Sequence, residues 1–321
     1  MRKLAAVLLS ALMLMTMTGC SQPTSSDGED MYDILPDSHF EQGFVLTGFD
    51  SRPEYNQRDI GRIDYGEEGL EPVWRVGQWG CLANLAYDGA TYTQEDGFDV
   101  FRDDKNSKTL KINRTTGAFS LNIDATADGV YADGPRENNE PWPHFILEVP
   151  QFPEFLMLKD TDFLTFYLEF TLNKSENHCG AAYDPGLHSA MFLWYVTVSD
   201  VTDTSQYFWF GLPIYDNRKP FSDEFAQQDG GKEDSTDAFI YNPAGNTFLD
   251  MPVTVGVPNL LSRDMLPTIY HAFDIAQQRG FMQNTKKENL CITSMYIGWE
   301  LPGTFDVGID VHKMNLFAGK N

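Results

Sequence analysis

Phe163-Leu164-Thr165-Phe166-Tyr167-Leu168-Glu169-Phe170-Thr171-Leu172 is the stretch that decides the fold. Leu164, Phe166, Leu168, Phe170 and Leu172 fall on one side, while Thr165, Tyr167, Glu169 and Thr171 fall on the other. A period of two is the mark of a strand with one face buried and one face wetted. The same pattern recurs outward from it. Leu110 and Ile112 run into Asn113-Arg114-Thr115-Thr116-Gly117, and Phe119, Leu121 and Ile123 then alternate again, which predicts a hairpin with a glycine-containing loop. Met191 to Val198 and Tyr207 to Leu212 are nearly continuous aromatic and β-branched runs, expected of strands covered on both faces. Phe305, Val307, Ile309 and Val311 keep phase until Met314 and Leu316, a slip that predicts a bulge at His312-Lys313.

One helix interrupts this pattern. Asp264 can cap it and Pro267 suits a first turn, Leu266, Ile269, Tyr270, Phe273 and Ala276 share a face, and Gly280 ends it. Many strands, one helix near the C-terminus and frequent turn residues predict an all-β chain: two stacked antiparallel sheets in a jelly-roll sandwich over residues 39–321.

The first 19 residues read as a leader. Arg2 and Lys3 precede an apolar run from Leu4 to Leu14 that closes on Met17-Thr18-Gly19-Cys20. Cys20 directly after Gly19 resembles a bacterial lipobox, whose cysteine is acylated and becomes the new N-terminus; Met17 stands where a leucine is usual. Two or more acyl chains anchor stably where one is marginal. Residues 20–38, polar and acidic, read as a tether, so the expected location is extracytoplasmic, held to a membrane through lipid alone.

The chain carries 23 Lys plus Arg against 47 Asp plus Glu over 321 residues. Removing Arg2 and Lys3 with the leader leaves 21 against 47, a net charge of −26. Such a surface repels phosphate backbones and anionic headgroups, which argues against nucleic acid and weakens the case for a polyanionic substrate. A neutral sugar chain is not repelled, no cofactor is called for, and a structural calcium stays open. Cys81, Cys179 and Cys291 show no zinc spacing; buried thiols are the favoured reading over one bridge plus a leftover cysteine.

Chemistry concentrates in two segments. Arg136-Glu137-Asn138-Asn139-Glu140-Pro141-Trp142-Pro143-His144 feeds a strand on which Phe145, Leu147 and Val149 take the core side and His144, Ile146 and Glu148 the other. His144 and Glu148 stand about 13 Å apart along that strand, so each needs a partner on a neighbour. In the second segment Tyr207 and Trp209 share a face opposite Phe208, Phe210 and Leu212, followed by Asp216 and Arg218, which could fork onto hydroxyls or a carboxylate. Both segments also admit plainer readings, a solvated face and a sandwich core. His188 at a strand start and His178 before it are weaker candidates.

Trp142-Pro143-His144-Phe145-Ile146-Leu147-Glu148, Trp209-Phe210-Gly211-Leu212-Pro213 with Asp216 and Arg218, and Ile297-Gly298-Trp299-Glu300-Leu301-Pro302-Gly303 with Phe305-Asp306-Val307 resemble a group of uncharacterised secreted bacterial lipoproteins. That group is similar in outline to concanavalin-like and carbohydrate-active jelly rolls. The resemblance covers residues 70–317 and implies the fold more than an activity. An ExDxxE strand of the glucanase kind is absent, as are alginate-lyase strand motifs.

Three functions follow as expectations. The first is a glycan-binding lipoprotein using Arg136, Trp142, Tyr207, Trp209 and Arg218. The second is a polysaccharide-degrading hydrolase or lyase, with His144 or His188 as base, Glu148 or Asp216 as acid, and Arg136 or Arg218 on an anionic sugar. The third is a purely structural envelope protein, whose signature is the lack of any groove.

Overall fold

The computed structural model describes residues 30–48, 58–86, 88–230 and 235–320; the leader, Cys20 and most of the tether lie outside these. Eighteen strands follow one another as β1 (Asp30–Asp33), β2 (Phe44–Gly48), β3 (Arg58–Ile63), β4 (Trp74–Gln78), β5 (Thr91–Glu95), β6 (Phe98–Arg102), β7 (Lys108–Asn113), β8 (Ala118–Asp124) and β9 (His144–Val149). Then come β10 (Leu156–Met157), β11 (Phe163–Asn177), β12 (Met191–Asp200), β13 (Asp203–Asp216), β14 (Phe225–Gln228), β15 (Phe239–Asn242), β16 (Pro258–Asp264), β17 (Leu290–Glu300) and β18 (Phe305–Lys320).

They form two sheets. An eight-stranded sheet runs β16-β11-β18-β8-β7-β6-β5, with β1 beside the end of β18; a ten-stranded sheet runs β14-β15-β13-β12-β17-β9-β4-β2-β3, with β10 beside β17. Described neighbours are antiparallel except the pairs β2–β4 and β13–β15. The chain is therefore the all-β jelly-roll sandwich that alternation predicts.

Particular expectations are met in register. β11 buries Leu164, Phe166, Leu168, Phe170 and Leu172 and turns the intervening residues outward. β7 and β8 form the predicted hairpin, with Gly117 at φ +74 where the loop needs a left-handed residue. The β11–β18 register steps from Glu169↔Lys313 to Phe170↔Val311, so His312 is the extra residue of the expected bulge.

The core is the interleaved inner faces. Phe166 of the eight-stranded sheet stacks on Trp194 of the ten-stranded one at 4.2 Å, and the indole of Trp299 donates to the carbonyl of Leu121 across the layers. Such buried aromatic pairs add about 0.5–1.5 kcal/mol each beyond area burial.

The predicted helix is α2 (Leu266–Gln278); a shorter one, α1 (Ala125–Asp128), was not foreseen because four residues carry no period. The Asp264 carboxylate accepts from the amides of Leu266 and Leu164, joining the helix start to β11. Leu266, Ile269, Ala272, Phe273 and Ala276 enter the core, and His271 and Arg279 lie against Tyr241 and Phe239 of β15. The helix thus closes the side of the sandwich between edge strand β16 and the β14–β15 end of the other sheet.

Cys81, Cys179 and Cys291 are buried thiols outside any disulfide. Burial pushes the Cys291 thiol up to about 11, which leaves it unreactive at neutral pH. No described helix is long and apolar enough to cross a membrane.

Candidate functional site

The site lies on the outer face of the ten-stranded sheet, the face turned away from the core. Strand register sets out its rows. One row reads Asp216–Met191–Glu300–His144 across β13, β12, β17 and β9. A second reads Pro213–Leu193–Gly298–Ile146–Gly77–Thr47, extending onto β4 and β2. A third reads Gly211–Tyr195–Tyr296–Glu148–Arg75–Val45–Arg62. Trp209 and Thr197 begin the fourth row, and Tyr207 with Ser199 the fifth. Tyr207, Trp209, His144 and Glu148 therefore share one face, as alternation requires.

This face is recessed. On β12, Leu193, Tyr195, Thr197 and Ser199 point away from the core yet are buried, and Tyr207, Trp209, Tyr296, His144, Glu148 and Glu300 are only partly exposed.

Glycines shape the floor. A Cβ on Gly211 would sit 2.2 Å from the Tyr195 ring, so that ring lies over β13, and its hydroxyl meets the Asn242 amide at 2.9 Å. A Cβ on Gly77 would sit 3.1 Å from Trp79, whose indole reaches Thr47 Oγ1 at 3.2 Å. The Tyr195 ring thus occupies the space a side chain at 211 would fill, and Ile146 with Trp79 the space at 77. Tyr296 stacks on Tyr195 at 5.1 Å, and Trp209 meets both edge-on at 6.2 and 6.4 Å.

One end of the face is a stack of four groups. His144 lies 5.4 Å from Trp79 and 5.9 Å from Trp142, and the Arg136 guanidinium covers Trp142 at 5.0 Å. Arg136 itself donates to the carbonyls of Glu140 and Leu187, which fixes its plane. His144 Nδ1 faces the Trp142 carbonyl at 3.0 Å, an acceptor only, so Nδ1 carries the proton and Nε2 faces Glu300 at 3.8 Å.

Glu300 is the hub of the site. Its Oε2 accepts from the Trp142 indole at 3.2 Å and its Oε1 from the Tyr296 hydroxyl at 3.3 Å. Tyr296 and Glu300 are four residues apart on β17, and they meet because Gly298 between them has no side chain. Burial, reinforced by the charge of Glu300, holds the Tyr296 phenol well above its usual range. Burial likewise raises Tyr195.

Glu148 stands between Tyr296 and Arg75. Burial pushes its carboxyl up to about 7, against the lowering effect of Arg75. A carboxyl raised that far can donate as well as accept.

Two expectations need correcting. His188 is 2 % exposed; its Nδ1 accepts from the Asp184 amide at 3.0 Å and its Nε2 meets the Arg136 carbonyl at 2.8 Å, so both nitrogens are used in bracing the loop beneath Arg136. It is a structural histidine. Asp216 and Arg218 do form a fork, but with each other, at 2.8 and 2.6 Å, and the pair is spent within the protein. Arg136, Trp142, His144, Glu148, Tyr207 and Trp209 are on or against the shared face; His178 is apart from it, paired with Glu176 at 3.5 Å.

The residues overlooked in the sequence are Glu300, Tyr296, Tyr195, Arg75 and Trp79. Tyr296, Gly298 and Glu300 alternate visibly, but only the pairing of β17 with β9 shows which segment they face.

No family model and no curated protein matches the sequence. Among solved structures, the chain is similar to a family 12 xyloglucanase from Bacillus licheniformis, at 8% identity over 74% of this chain and 98% of that one, with a TM-score of 0.42. It is similar to the endoglucanase Cel12A of Rhodothermus marinus at 11% identity, over 78% and 99%, with a TM-score of 0.39. A family 11 xylanase from Neocallimastix patriciarum follows at 8% identity, over 72% and 95%, with a TM-score of 0.37. These neighbours are glycoside hydrolases; likeness at this level assigns no residue and no activity to this chain.

Proposed function

We propose that the protein is a lipid-anchored envelope protein whose recessed face binds a neutral polysaccharide chain. The observation that carries this reading is the floor itself: Tyr195 over Gly211 with Tyr296 stacked beside it, Trp209 edge-on to both, and Trp79 and Ile146 against Gly77. Flat aromatic faces stack on the apolar faces of pyranose rings, while Glu300, Glu148 and His144 beside them meet hydroxyls. Cations favour a neutral chain over a uronate. Arg75 stands 4.0 Å from Asp59, Arg62 3.7 Å from Glu71 and Arg218 2.6 Å from Asp216, so their charge is already met. Anchoring through Cys20 rests on the leader alone and supplies the surface location at which such a ligand is encountered.

The test is affinity electrophoresis and calorimetry of the chain against neutral and uronate polysaccharides. Binding to at least one neutral polymer, weakened by Trp209→Ala, is the expected result. Binding confined to uronates, or to nothing, contradicts the reading.

Cleavage is the second reading, favoured by the raised pKa of Glu148, about 7, on the same face as Glu300. Their backbone positions are offset by about 13 Å along neighbouring strands, and hydrolysis by the pair needs their carboxyl groups roughly 5–9.5 Å apart. Release of reducing ends from a bound polymer, lost in both Glu148→Gln and Glu300→Gln, would establish cleavage.

A further inference from the structure

The third row of the open face ends at Arg62 on β3, the edge strand of its sheet. Arg62 also lines a cavity of about 220 Å³ where the two sheets end side by side, between the loop after β3 and the β5–β6 hairpin. Its walls are Tyr65, Tyr92, Phe101 and Leu85, with Arg62 and Asp64 at the mouth. Tyr92 stacks on Phe101 at 5.0 Å with 12° between the rings, and it is 47% exposed, so an aromatic face is presented to solvent. Tyr65 is held from two sides. Its hydroxyl donates to the Phe40 carbonyl at 3.0 Å, and the Arg114 guanidinium lies over its ring at 4.1 Å.

The backbone fixes this wall of the cavity. Tyr65, at φ +53, and Gly66, at φ +80, form a turn closed by the Glu67 amide on the Asp64 carbonyl at 2.8 Å. The turn places Tyr65 and Asp64 together on the cavity lining.

We propose that this edge cavity is a second carbohydrate site, taking a single pyranose ring. Aromatic faces meet the sugar's apolar side, and Arg62 and Asp64 meet its hydroxyl edge. The ligand class rests on the glycan reading of the open face; the cavity and its geometry do not. From Gly211 to Arg62 the row crosses six strand spacings, about 29 Å, so a chain lying along it brings an end toward this cavity.

The test is two-dimensional NMR of the full chain titrated with methyl β-glucoside, β-xyloside, β-galactoside and β-mannoside. The proposal expects at least one glycoside to shift the Tyr65, Tyr92 and Phe101 ring signals, in the wild type and in Trp209→Ala alike. Tyr92→Ala, a change at an exposed ring, should weaken that interaction about three- to tenfold. Shifts confined to Trp209 and Tyr296 overturn the cavity while leaving the open face intact. Silence of the cavity signals with every glycoside also overturns it, and silence at both places counts against the glycan reading as well.

Discussion

The outer faces of the two sheets differ in kind. On the eight-stranded sheet, β11 alternates buried and part-exposed residues along most of its length, and its outward groups pair with one another. Lys313 lies over Tyr167, Thr171 meets His312, and Ser120 meets Asp310. On the ten-stranded sheet, β12 is buried at every position after Met191, so its outward residues are enclosed as fully as its core residues. The first face is a solvated surface whose polar groups satisfy each other. The second is a recess in which Tyr195 and Tyr296 stack, Trp209 meets them edge-on and carboxylates gather. Period-two patterning thus identifies a strand, while loss of that pattern on a neighbouring strand identifies where something is meant to lie on it.

The joint between the sheets should give the largest effect. Lys108 of β7 is wholly buried and reaches Asp128 at 2.6 Å and the Ala83 carbonyl at 2.8 Å, while Asp128 accepts from the amides of Leu82 and Ala83. The loop that follows Trp79 is clamped from the other sheet. Asp128→Ala leaves the buried ammonium with only the more distant Asp103 carboxylate, at 3.6 Å, and should cost about 3 kcal/mol in denaturant unfolding. The double change Lys108→Met, Asp128→Leu should recover part of it, because apolar groups replace the nearer charge pair while Asp103 keeps its bonds from the Lys105 and Ser107 amides and the Ser107 hydroxyl.

Glycine substitutions compare the two faces directly. Gly211→Ala places a Cβ against the packed Tyr195 ring and should cost about 1–3 kcal/mol. Gly308→Ala, on the outer face of the eight-stranded sheet, meets only the ends of the Asn122 and Asn173 side chains, which can turn aside. It should stay within about 0.5 kcal/mol by the same measurement. Equal costs would remove the distinction between a built floor and a plain surface.

Titration sharpens the contrast. The Glu148 carboxyl is raised to about 7 by burial, from 4.5. A carboxyl raised on folding contributes stability that is fully present below its unfolded pKa and is lost as pH rises through the folded value. Wild-type stability should therefore fall between about pH 4.5 and 7 relative to Glu148→Gln. The difference should be on the order of 1–2 kcal/mol after screening by Arg75 and solvent. Thermal melts of both proteins across that range are the check, and parallel pH profiles would show that Glu148 is not enclosed.

Much of the fold was legible because its signals are local. The alternation of β11, the Gly117 hairpin, the His312 bulge and the Asp264-to-Gly280 helix each depend on residues near in sequence. Half of the site was legible for the same reason: His144 with Glu148, and Tyr207 with Trp209, share a side by parity alone. The partners were not. Glu300 faces His144 across a pairing of segments 156 residues apart, and Tyr195 lies down only because Gly211 stands opposite it. Asp216 and Arg218 misled in the opposite direction, since two residues two apart after a strand are close enough to satisfy each other.

The most direct measurement is the affinity of the wild type, Trp209→Ala and Tyr167→Ala for a panel of neutral polysaccharides. Trp209 belongs to the recess and Tyr167 to the solvated face, and both are partly exposed aromatics. At least one polymer should bind the wild type and Tyr167→Ala equally, and Trp209→Ala about tenfold more weakly. No binding to any polymer, or an equal loss in the two variants, would contradict a glycan site on the ten-stranded sheet.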